Sequence, residues 1–490
     1  MTTNGIPSDI KALAERALGV ATAAGANYVD ARYLSEESEQ IDVQDDRVTG
    51  VGRGATAGIG IRVIADGCWG FAGTSILEPG AIEDAARLAV EIARSSRALM
   101  KAPVRLADEP VHEATWSSPC ELDPFAVALD EKIAMLLAAT ASAKEIEGLT
   151  IAEASIDLWR RTSWLATSEG ARIAQTITQT GAGVRCIAIG GDEVQQRSFP
   201  NSFRGGYAAA GWEYARAMDL AANAPVYGEQ AVALLSAPEC PSVTTTLILT
   251  PDQLGLQVHE SIGHPIELDR VLGMEAAYAG TSFLKPPDRG ALRYGSEQIN
   301  VTADATLAGA LGSFGYDDEG VQAQRVPVIR DGVFHEFISS RETAGETDGP
   351  RSNGTMRASG WDVIPLIRMT NINLEPGSSS LEEMIATTDD GILMSTNQSW
   401  SIDDKRVNFQ FGCEIAWEIK DGKRGRMLRN PNYAGRTVDF WSSCDALGGP
   451  DEWIVWGTPN CGKGQPGQTA RVAHGTSPGR FRGVNVGVRG

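Results

Sequence analysis

Two histidines five positions apart, His259 and His264, set the strongest constraint on how this chain folds. In a regular α-helix an offset of five residues turns about 500°, which leaves the two side chains about 140° apart. That separation is too wide for both imidazoles to bind one tetrahedral ion. If the pair acts together, the helix must end there or widen into a π-type turn with i→i+5 hydrogen bonds. Gly263 and Pro265 both favour such a distortion.

The same segment carries the side chains of a zinc hydrolase. Two neutral imidazoles suit Zn²⁺, and a catalytic zinc usually takes a third protein ligand while one position stays open for water. Glu260, directly after His259, would be the general base that takes a proton from the attacking water and passes it to the leaving amine. The seven cysteines are scattered through the chain, and their spacing alone does not select a third ligand.

The residues before the histidines predict a strand followed by a helix. Residues 242–249 are apolar and β-branched, as is typical of a strand. Thr250, Pro251 and Gln253 then supply an N-cap hydroxyl, a proline at the first helical position and a Gln for a capping box. We expect a helix from Pro251 to about His264.

The whole chain predicts an α+β fold of two domains with a boundary at residues 238–241. Residues 1–237 would form an N-terminal sheet-and-helix domain, because helical and alternating patterns succeed each other there. Residues 238–490 would form a mostly β C-terminal domain that carries the metal-binding helix. Apart from that helix and a short one near residues 381–387, the pattern there alternates apolar and polar residues, with breaks at Gly and Pro.

The N-terminal half contains several elements recognisable from periodicity and turn residues. Asp45-Asp46 and Asp66-Gly67 predict turns between strands. Helical patterns cover residues 8–24, 79–99, 125–147, 205–222 and 226–236. Strand patterns cover residues 28–34, 37–43, 57–64, 68–73, 149–159, 162–168 and 172–190.

Charge and cysteine usage restrict partners and compartment. The formal net charge of −20 over 490 residues disfavours nucleic acid or an anionic membrane as the main partner. Residues 1–8 have neither a basic start nor an apolar core, which predicts no targeting signal. An odd, scattered set of cysteines favours a reducing compartment. We therefore expect a cytoplasmic protein.

The remaining motifs carry less chemistry. His112 and His335 each precede a glutamate but lack a second histidine nearby, and we interpret both as surface residues. His474 is interpreted as part of a solvated loop, with a role as a fourth ligand or as an outer-shell group as the alternative. The run 462–467 is rich in glycine, but Pro466 interrupts it and no helix pattern follows, which argues against a dinucleotide-binding loop.

Several blocks beyond the histidine segment resemble the TldD/PmbA (TldD/TldE) metallopeptidases, and in particular the motif-bearing, TldD-like members. The N-terminal half is similar more loosely, through residues 28–33 and 58–63. The specific blocks are Asp317-Asp-Glu-Gly-Val321, Ser352-Asn-Gly354, Arg368-Met-Thr-Asn371, Phe409-Gln-Phe-Gly-Cys-Glu414 and Cys461-Gly-Lys-Gly-Gln465.

The resemblance implies a zinc-dependent metallopeptidase whose third ligand is the cysteine of the Cys-Gly-Lys block, Cys461. A thiolate is a strong Zn²⁺ ligand, which agrees with that role. The implied substrate is an unfolded or extended peptide, held with low sequence selectivity by backbone pairing to a sheet edge. The implied assembly is a dimer with a motif-lacking TldE/PmbA-like subunit or with another copy of this chain.

Two other functions stay open at this point. The same residues could hydrolyse a non-peptide C–N bond as a zinc-dependent hydrolase or lyase, or the chain could be a metal-stabilised scaffold subunit. Endopeptidase and exopeptidase action are equally compatible with the sequence. Arg368, Asn371 and Asn353 lie in family-like blocks, but no oxyanion-stabilising residue is assigned among them.

Overall fold

The computed structural model describes residues 6–347, 349 and 351–487. A region of mixed sheet and helix is followed by one in which strands predominate, so the predicted fold class is confirmed. The domain limits of 1–237 and 238–490 stay predictions, and residues 1–5 and 488–490 at their outer ends lie outside the described residues. Residues 1–8, on which the prediction of no targeting signal was based, also lie mostly outside the described residues.

The first region is built on one large sheet. Its strands are β1 (Tyr28–Gln44), β2 (Arg47–Ala65), β3 (Cys68–Thr74), β4 (Glu113–Ser117), β5 (Ile151–Thr167), β6 (Arg172–Gly190), β7 (Glu193–Phe199) and β8 (Gly206–Ala208). Their order is β3-β2-β1-β5-β6-β4, and β7 and β8 also pair with β6. The helices are α1 (Ser8–Ala23), α2 (Pro79–Ser96), α3 (Leu129–Lys144), α4 (Trp212–Ala217) and α5 (Leu220–Leu234).

The two faces of this sheet have different partners because side chains alternate along a strand. On β1, Val29 and Ile41 are buried in the apolar clusters formed with the helices. The opposite face meets the second region through polar contacts. There Arg32 Nη2 donates to the carbonyl of Val363 at 2.8 Å, and Glu36 pairs with Arg471 at 2.9 Å. The sheet therefore lies between the helices and the second region.

Two strand pairs predicted from the sequence are single long strands. Residues 28–34 and 37–43 both belong to β1, and residues 149–159 and 162–168 both belong to β5. The charged residues between the predicted segments imitate a turn, but they form ion pairs between strands and regions. Glu36, for example, accepts from Arg161 Nε at 3.1 Å as well as from Arg471.

The helix predicted over residues 205–222 is wrong for half of its length. The structure has β8, then α4, and then a break at Asp219, whose φ of 45° lies in the left-handed region. The next helix, α5, begins at Leu220, earlier than the predicted residue 226. The strand β7 was not predicted. Both predicted turns are present, with φ of 54° at Asp45 and 52° at Asp66.

The second region contains short helices and many strands. Its helices are α6 (Pro251–Val258), α7 (Leu268–Val271), α8 (Ala276–Ala279), α9 (Leu381–Ala386) and α10 (Thr437–Ser442). Its strands are β9 (Val243–Leu249), β10 (Val301–Asp304), β11 (Arg325–Arg330), β12 (Val333–Phe334), β13 (Met356–Arg357), β14 (Leu366–Ile367), β15 (Ile372–Leu374), β16 (Asp390–Ile402), β17 (Asn408–Lys420), β18 (Lys423–Leu428), β19 (Asn432–Arg436), β20 (Cys444–Leu447), β21 (Ile454–Lys463), β22 (Gln468–Thr476) and β23 (Gly479–Val486).

The largest sheet of this region closes on itself. Its order is β16-β9-β23-β19-β17-β18, and the additional pairing of β16 with β17 completes a ring of five strands. Leu254 and Val258 of α6 are fully buried in the same cluster as Phe411 and Tyr433 of that ring. The hairpin β21–β22 also packs against α6. The second region thus holds one short helix between the ring and a separate hairpin.

Within the described ranges, no helix is both long enough and apolar enough to cross a lipid bilayer. All seven cysteines are free thiols.

Candidate metal centre

The metal-binding helix begins where the sequence predicts, but without the expected cap. Pro251 is its first residue, and the Thr250 side chain makes no capping hydrogen bond. The Thr250 hydroxyl instead donates to the Asp252 carboxylate, and Gln253 Nε2 donates to the hydroxyl of Tyr433 at 3.0 Å. The predicted capping box is therefore absent, because both of its side chains have other partners.

The regular α-helix stops at Val258, and residues His259–Gly263 form a π-helical turn. The amide of His264 donates to the carbonyl of His259 at 3.1 Å, an i→i+5 bond. The π-type distortion expected from the five-residue spacing is thus present. Gly263 is needed there because a Cβ at this position would lie 2.2 Å from Met369 Sδ.

The π-turn brings the two histidines together, and β21 supplies the cysteine. The ligand atoms of His259, His264 and Cys461 all lie within 4.8 Å of one another. His264 Nε2 is 4.0 Å from Cys461 Sγ, and the two imidazole centroids are 4.9 Å apart with perpendicular rings. All three side chains are buried. The three predicted metal ligands therefore form one cluster.

The protonation states of these groups suit metal ligation. Burial lowers the pKa of His259 and of His264, which favours neutral imidazoles. Burial alone would raise the pKa of the Cys461 thiol, but the Arg368 guanidinium and His264 lower it overall. Arg368 Nη2 also donates to the Cys461 carbonyl. A thiol with a lowered pKa readily supplies the thiolate that binds a metal.

A buried ionic cluster orients His264. Burial alone would raise the pKa of Glu267, but Lys463 and His264 hold it well below its usual range. The ionised Glu267 can only accept, so His264 Nδ1–H donates to its Oε2 at 3.0 Å and leaves Nε2 free to face Cys461. Lys463 Nζ lies 3.3 Å from Glu267 and 2.7 Å from Asp269. Glu267 is thus a hydrogen-bond acceptor for the ring nitrogen that faces away from Cys461, which is a common feature of metal-binding histidines.

The sequence suggested a solvated loop for His474, but the structure places this residue in a buried strand. It lies on β22 and is 1% exposed. Its Nε2 is 2.8 Å from His259 Nδ1, and its Nδ1 is 3.1 Å from the carbonyl oxygen of Ile372. Burial, reinforced by the neighbouring His259, lowers the pKa of His474 well below its usual range.

Glu260 projects into the cavity that contains the three candidate ligands. The cavity has a volume of about 370 Å³. Glu260 Oε2 forms an ion pair with Arg406 Nη1, and both side chains are largely buried. Besides these two residues and the ligand cluster, the walls include Phe203, Trp400, Ser401, Ile402, Thr458 and Asn460.

Arg406 lies in the turn between β16 and β17 with a φ of 65°. The Asp403 carboxylate fixes this turn by accepting from the amides of Lys405 at 2.9 Å and Asn408 at 2.6 Å. A non-glycine residue in the left-handed region is held against a conformational cost, and such residues cluster at functional sites. The turn therefore places a guanidinium beside the candidate general base.

Sequence reasoning missed three of these residues as site components: Glu267, Arg406 and Lys463. A local signal existed for Glu267, because an acid three positions after a helical histidine can reach it. Lys463 was visible in the Cys-Gly-Lys block. Arg406 lies in a distant turn and gave no local signal, and for His474 the sequence favoured a solvated loop over a place in the site.

The residues left unassigned in family-like blocks divide into two groups. Arg368 contacts Cys461 directly. Asn371 and Asn353 make structural hydrogen bonds instead, Asn371 with the carbonyl of Asp304 and Asn353 with the carbonyl of Phe337 at 2.6 Å.

Comparison with known families finds matches along most of the chain. Models of the PmbA/TldA metallopeptidases match residues 29–93 as domain 1, 122–237 as the central domain and 242–487 as the C-terminal domain. The C-terminal match alone spans half of the chain and contains every candidate ligand.

Curated relatives and solved structures give the same picture. A metalloprotease of Methanocaldococcus jannaschii is 28% identical over 450 residues, 92% of this chain and 94% of that protein. A zinc metalloprotease TldD homolog of Saccharolobus solfataricus is 26% identical over 242 residues, 49% of this chain and 51% of that protein. TldE from Thermococcus kodakarensis shares the fold with a TM-score of 0.70 at 15% identity, over 97% of this chain and 99% of its own. A crystal structure from Thermotoga maritima superposes with a TM-score of 0.77 at 16% identity, over 97% of this chain and 99% of its own.

Proposed function

This chain belongs to the PmbA/TldD family of metallopeptidases, and on that premise we propose that it hydrolyses extended peptides with zinc held by His259, His264 and Cys461. The observation that carries the proposal is the convergence of these three side chains next to Glu260 in one cavity. Glu260 acts as the general base.

The donor set fits a zinc ion. Imidazole nitrogen and thiolate sulfur are both zinc ligands, and three protein ligands leave one coordination position open. The lowered pKa values of the histidines and of Cys461 favour the protonation states that such ligands need. When bound, zinc supplies Lewis-acid polarisation of the scissile carbonyl and makes water a better nucleophile at neutral pH.

Glu260 moves the proton in this proposal. Arg406 holds Oε2 of the Glu260 carboxylate. Oε1 is therefore the atom that takes the proton from the attacking water and returns it to the leaving amine. The ion pair with Arg406 fixes the rotamer of the Glu260 side chain.

The strand β16 supports an extended peptide as substrate. One edge of β16 pairs with β17, and the other edge pairs with β9 only through residues 391–394. Among the described residues, the edge of residues 398–402 that faces away from β17 therefore has no strand partner. Trp400, Ser401 and Ile402 of this edge line the metal cavity. A peptide added to that edge would be held by main-chain hydrogen bonds, which gives low sequence selectivity.

The free enzyme is proposed to work as a dimer, either with a TldE/PmbA-like subunit or with a second copy. Supporting this, TldE has the same fold as this chain. Light scattering on the purified chain, alone and after co-expression with a TldE/PmbA-like relative, measures the assembly. A monomer under both conditions contradicts this part of the proposal.

Glu260→Gln tests the function directly. The variant should bind zinc like the wild type but cleave unfolded casein about 10²–10⁴-fold more slowly. Glu297→Gln, at an exposed position, is the matched control and should cleave normally. Absence of casein fragments with zinc-loaded wild type would favour a non-peptide C–N substrate. Biological activity that survives Glu260→Gln would favour a scaffold.

A further inference from the structure

His259 and His474 form a histidine pair that the catalytic proposal does not use. The two ring nitrogens, Nδ1 of His259 and Nε2 of His474, are 2.8 Å apart, and the rings meet nearly edge to face with centroids 4.9 Å apart. They come from different segments, the π-turn and β22, 215 residues apart in the chain. Both side chains are buried, so bulk water does not compete for the hydrogen bond between them.

The hydrogen bonds of a neutral His474 can be arranged in one way only. The carbonyl oxygen of Ile372 accepts and cannot donate, so His474 Nδ1, 3.1 Å away, carries the proton. His474 Nε2 then has a lone pair and accepts from His259 Nδ1–H. Because a neutral imidazole carries one ring proton, His259 Nε2 keeps its lone pair. The backbone carbonyl thus determines, through His474, which nitrogen of His259 is free.

We propose that His474 is a positioning residue that holds His259 in the Nδ1–H tautomer and so presents Nε2 to zinc. The inference rests on the proposed function. It gives His259 the kind of support that Glu267 gives His264, with a neutral acceptor in place of an anionic one. Loss of an outer-shell acceptor of this kind typically weakens metal affinity by about 10–100-fold.

His474 does not serve as a fourth ligand in this arrangement. Its Nε2 is engaged by His259 and its Nδ1 by the Ile372 carbonyl. The position that a fourth protein ligand would occupy therefore stays available to water or substrate, as a hydrolase requires.

Two amide substitutions separate positioning from simple packing. In His474→Gln the side-chain oxygen can occupy the place of Nε2 and accept from His259. In His474→Asn the shorter side chain reaches only the place of Nδ1, so it can donate to Ile372 but cannot reach His259. His335→Asn, a partly exposed histidine outside the cavity, is the control.

Zinc affinity is measured by competition with a chromophoric chelator, on protein shown by unfolding in excess chelator to be folded. We expect Gln at position 474 and the His335→Asn control to bind zinc like the wild type, and Asn at position 474 to bind about 10–100-fold more weakly. Equal affinities of the Gln and Asn variants would overturn the inference. His264→Asn reports on the site itself, since unchanged zinc affinity in that variant would contradict the proposed function instead.

A second measurement uses the metal-free wild type and needs no zinc titration. Long-range ¹H–¹⁵N spectra of protein with labelled histidine should resolve the five residues, with His259→Asn and His474→Asn spectra for assignment. We expect Nδ1–H tautomers for both His259 and His474. An Nε2–H signal for His259 would overturn the inference even if the Asn variant were too unstable for titration.

Discussion

His264 Nε2 lies 4.0 Å from the sulfur of Cys461, although 197 residues separate the two in the chain. The imidazole is set by the π-turn and by Glu267, whereas the sulfur is set by the hairpin β21–β22. The substitutions considered next remove a candidate ligand or a buried ion pair.

Cys461→Ser should abolish peptidase activity and weaken zinc binding by at least about 100-fold. Loss of a ligand should cost more than loss of an outer hydrogen-bond partner, which already costs about 10–100-fold. Metal content by mass spectrometry and chelator competition measure the effect. Cys120→Ser, at an exposed thiol, should keep full metal content, and a Cys461→Ser protein that does the same contradicts the assignment.

Arg406→Ala should lower kcat about 10–100-fold while zinc stays bound, because small displacements of a catalytic group have effects of that size. The variant removes the partner of Glu260 Oε2 without touching a proposed ligand. Steady-state kinetics on an unfolded substrate, together with metal content, separate the two effects. Arg436→Ala, an exposed arginine, serves for comparison, and equal kcat values for both variants would count against a role for Arg406.

Lys463→Met should destabilise the fold by about 3–5 kcal/mol, because it removes the buried cation that Glu267 and Asp269 share. Lys463 is fully buried between Glu267 and Asp269. Urea unfolding in excess chelator measures the free energy of unfolding independently of zinc. Lys420→Met, an exposed position, should unfold like the wild type, and a Lys463→Met midpoint equal to both would show that the cluster contributes no stability.

Glu36 should make stability depend on pH between about 4.5 and 2. Burial alone would raise the pKa of Glu36, but Arg471 and Arg161 lower it from 4.5 to about 2. A depressed pKa contributes stability above the unfolded-state value, and that contribution is lost as the pH falls through the window. The contribution at neutral pH is about 3 kcal/mol.

The measurement for Glu36 is the free energy of unfolding of wild type and Glu36→Gln at pH 7 and near pH 3. The wild type should lose more stability than the variant over that interval. Parallel losses in the two proteins would show that the Glu36 ion pairs, which join the sheet to β22, do not stabilise the fold.

The sequence predicted the local half of the site and much of the fold. The offset between His259 and His264 required the helix to end or to widen into a π-type turn, because no regular helix brings those side chains together. The ligand on β21 entered only through family resemblance, since spacing cannot show which of seven cysteines returns to the helix. His474 was misassigned because its burial depends on β22 packing against α6, a contact without a local pattern. Long strands such as β1 were divided for a related reason, because charged residues resemble a turn until their partners on other strands are known.

The chain order of the ligands has a consequence for when the enzyme becomes active. A ribosome produces His259, Glu260 and His264 about two hundred residues before Cys461 and His474, so a nascent chain holds a base and two imidazoles without the sulfur. Tight metal capture therefore waits until the hairpin has been synthesised and docked. Under the proposed ligand assignment, an unfinished chain therefore lacks the complete metal centre that it would need to cleave a peptide bond.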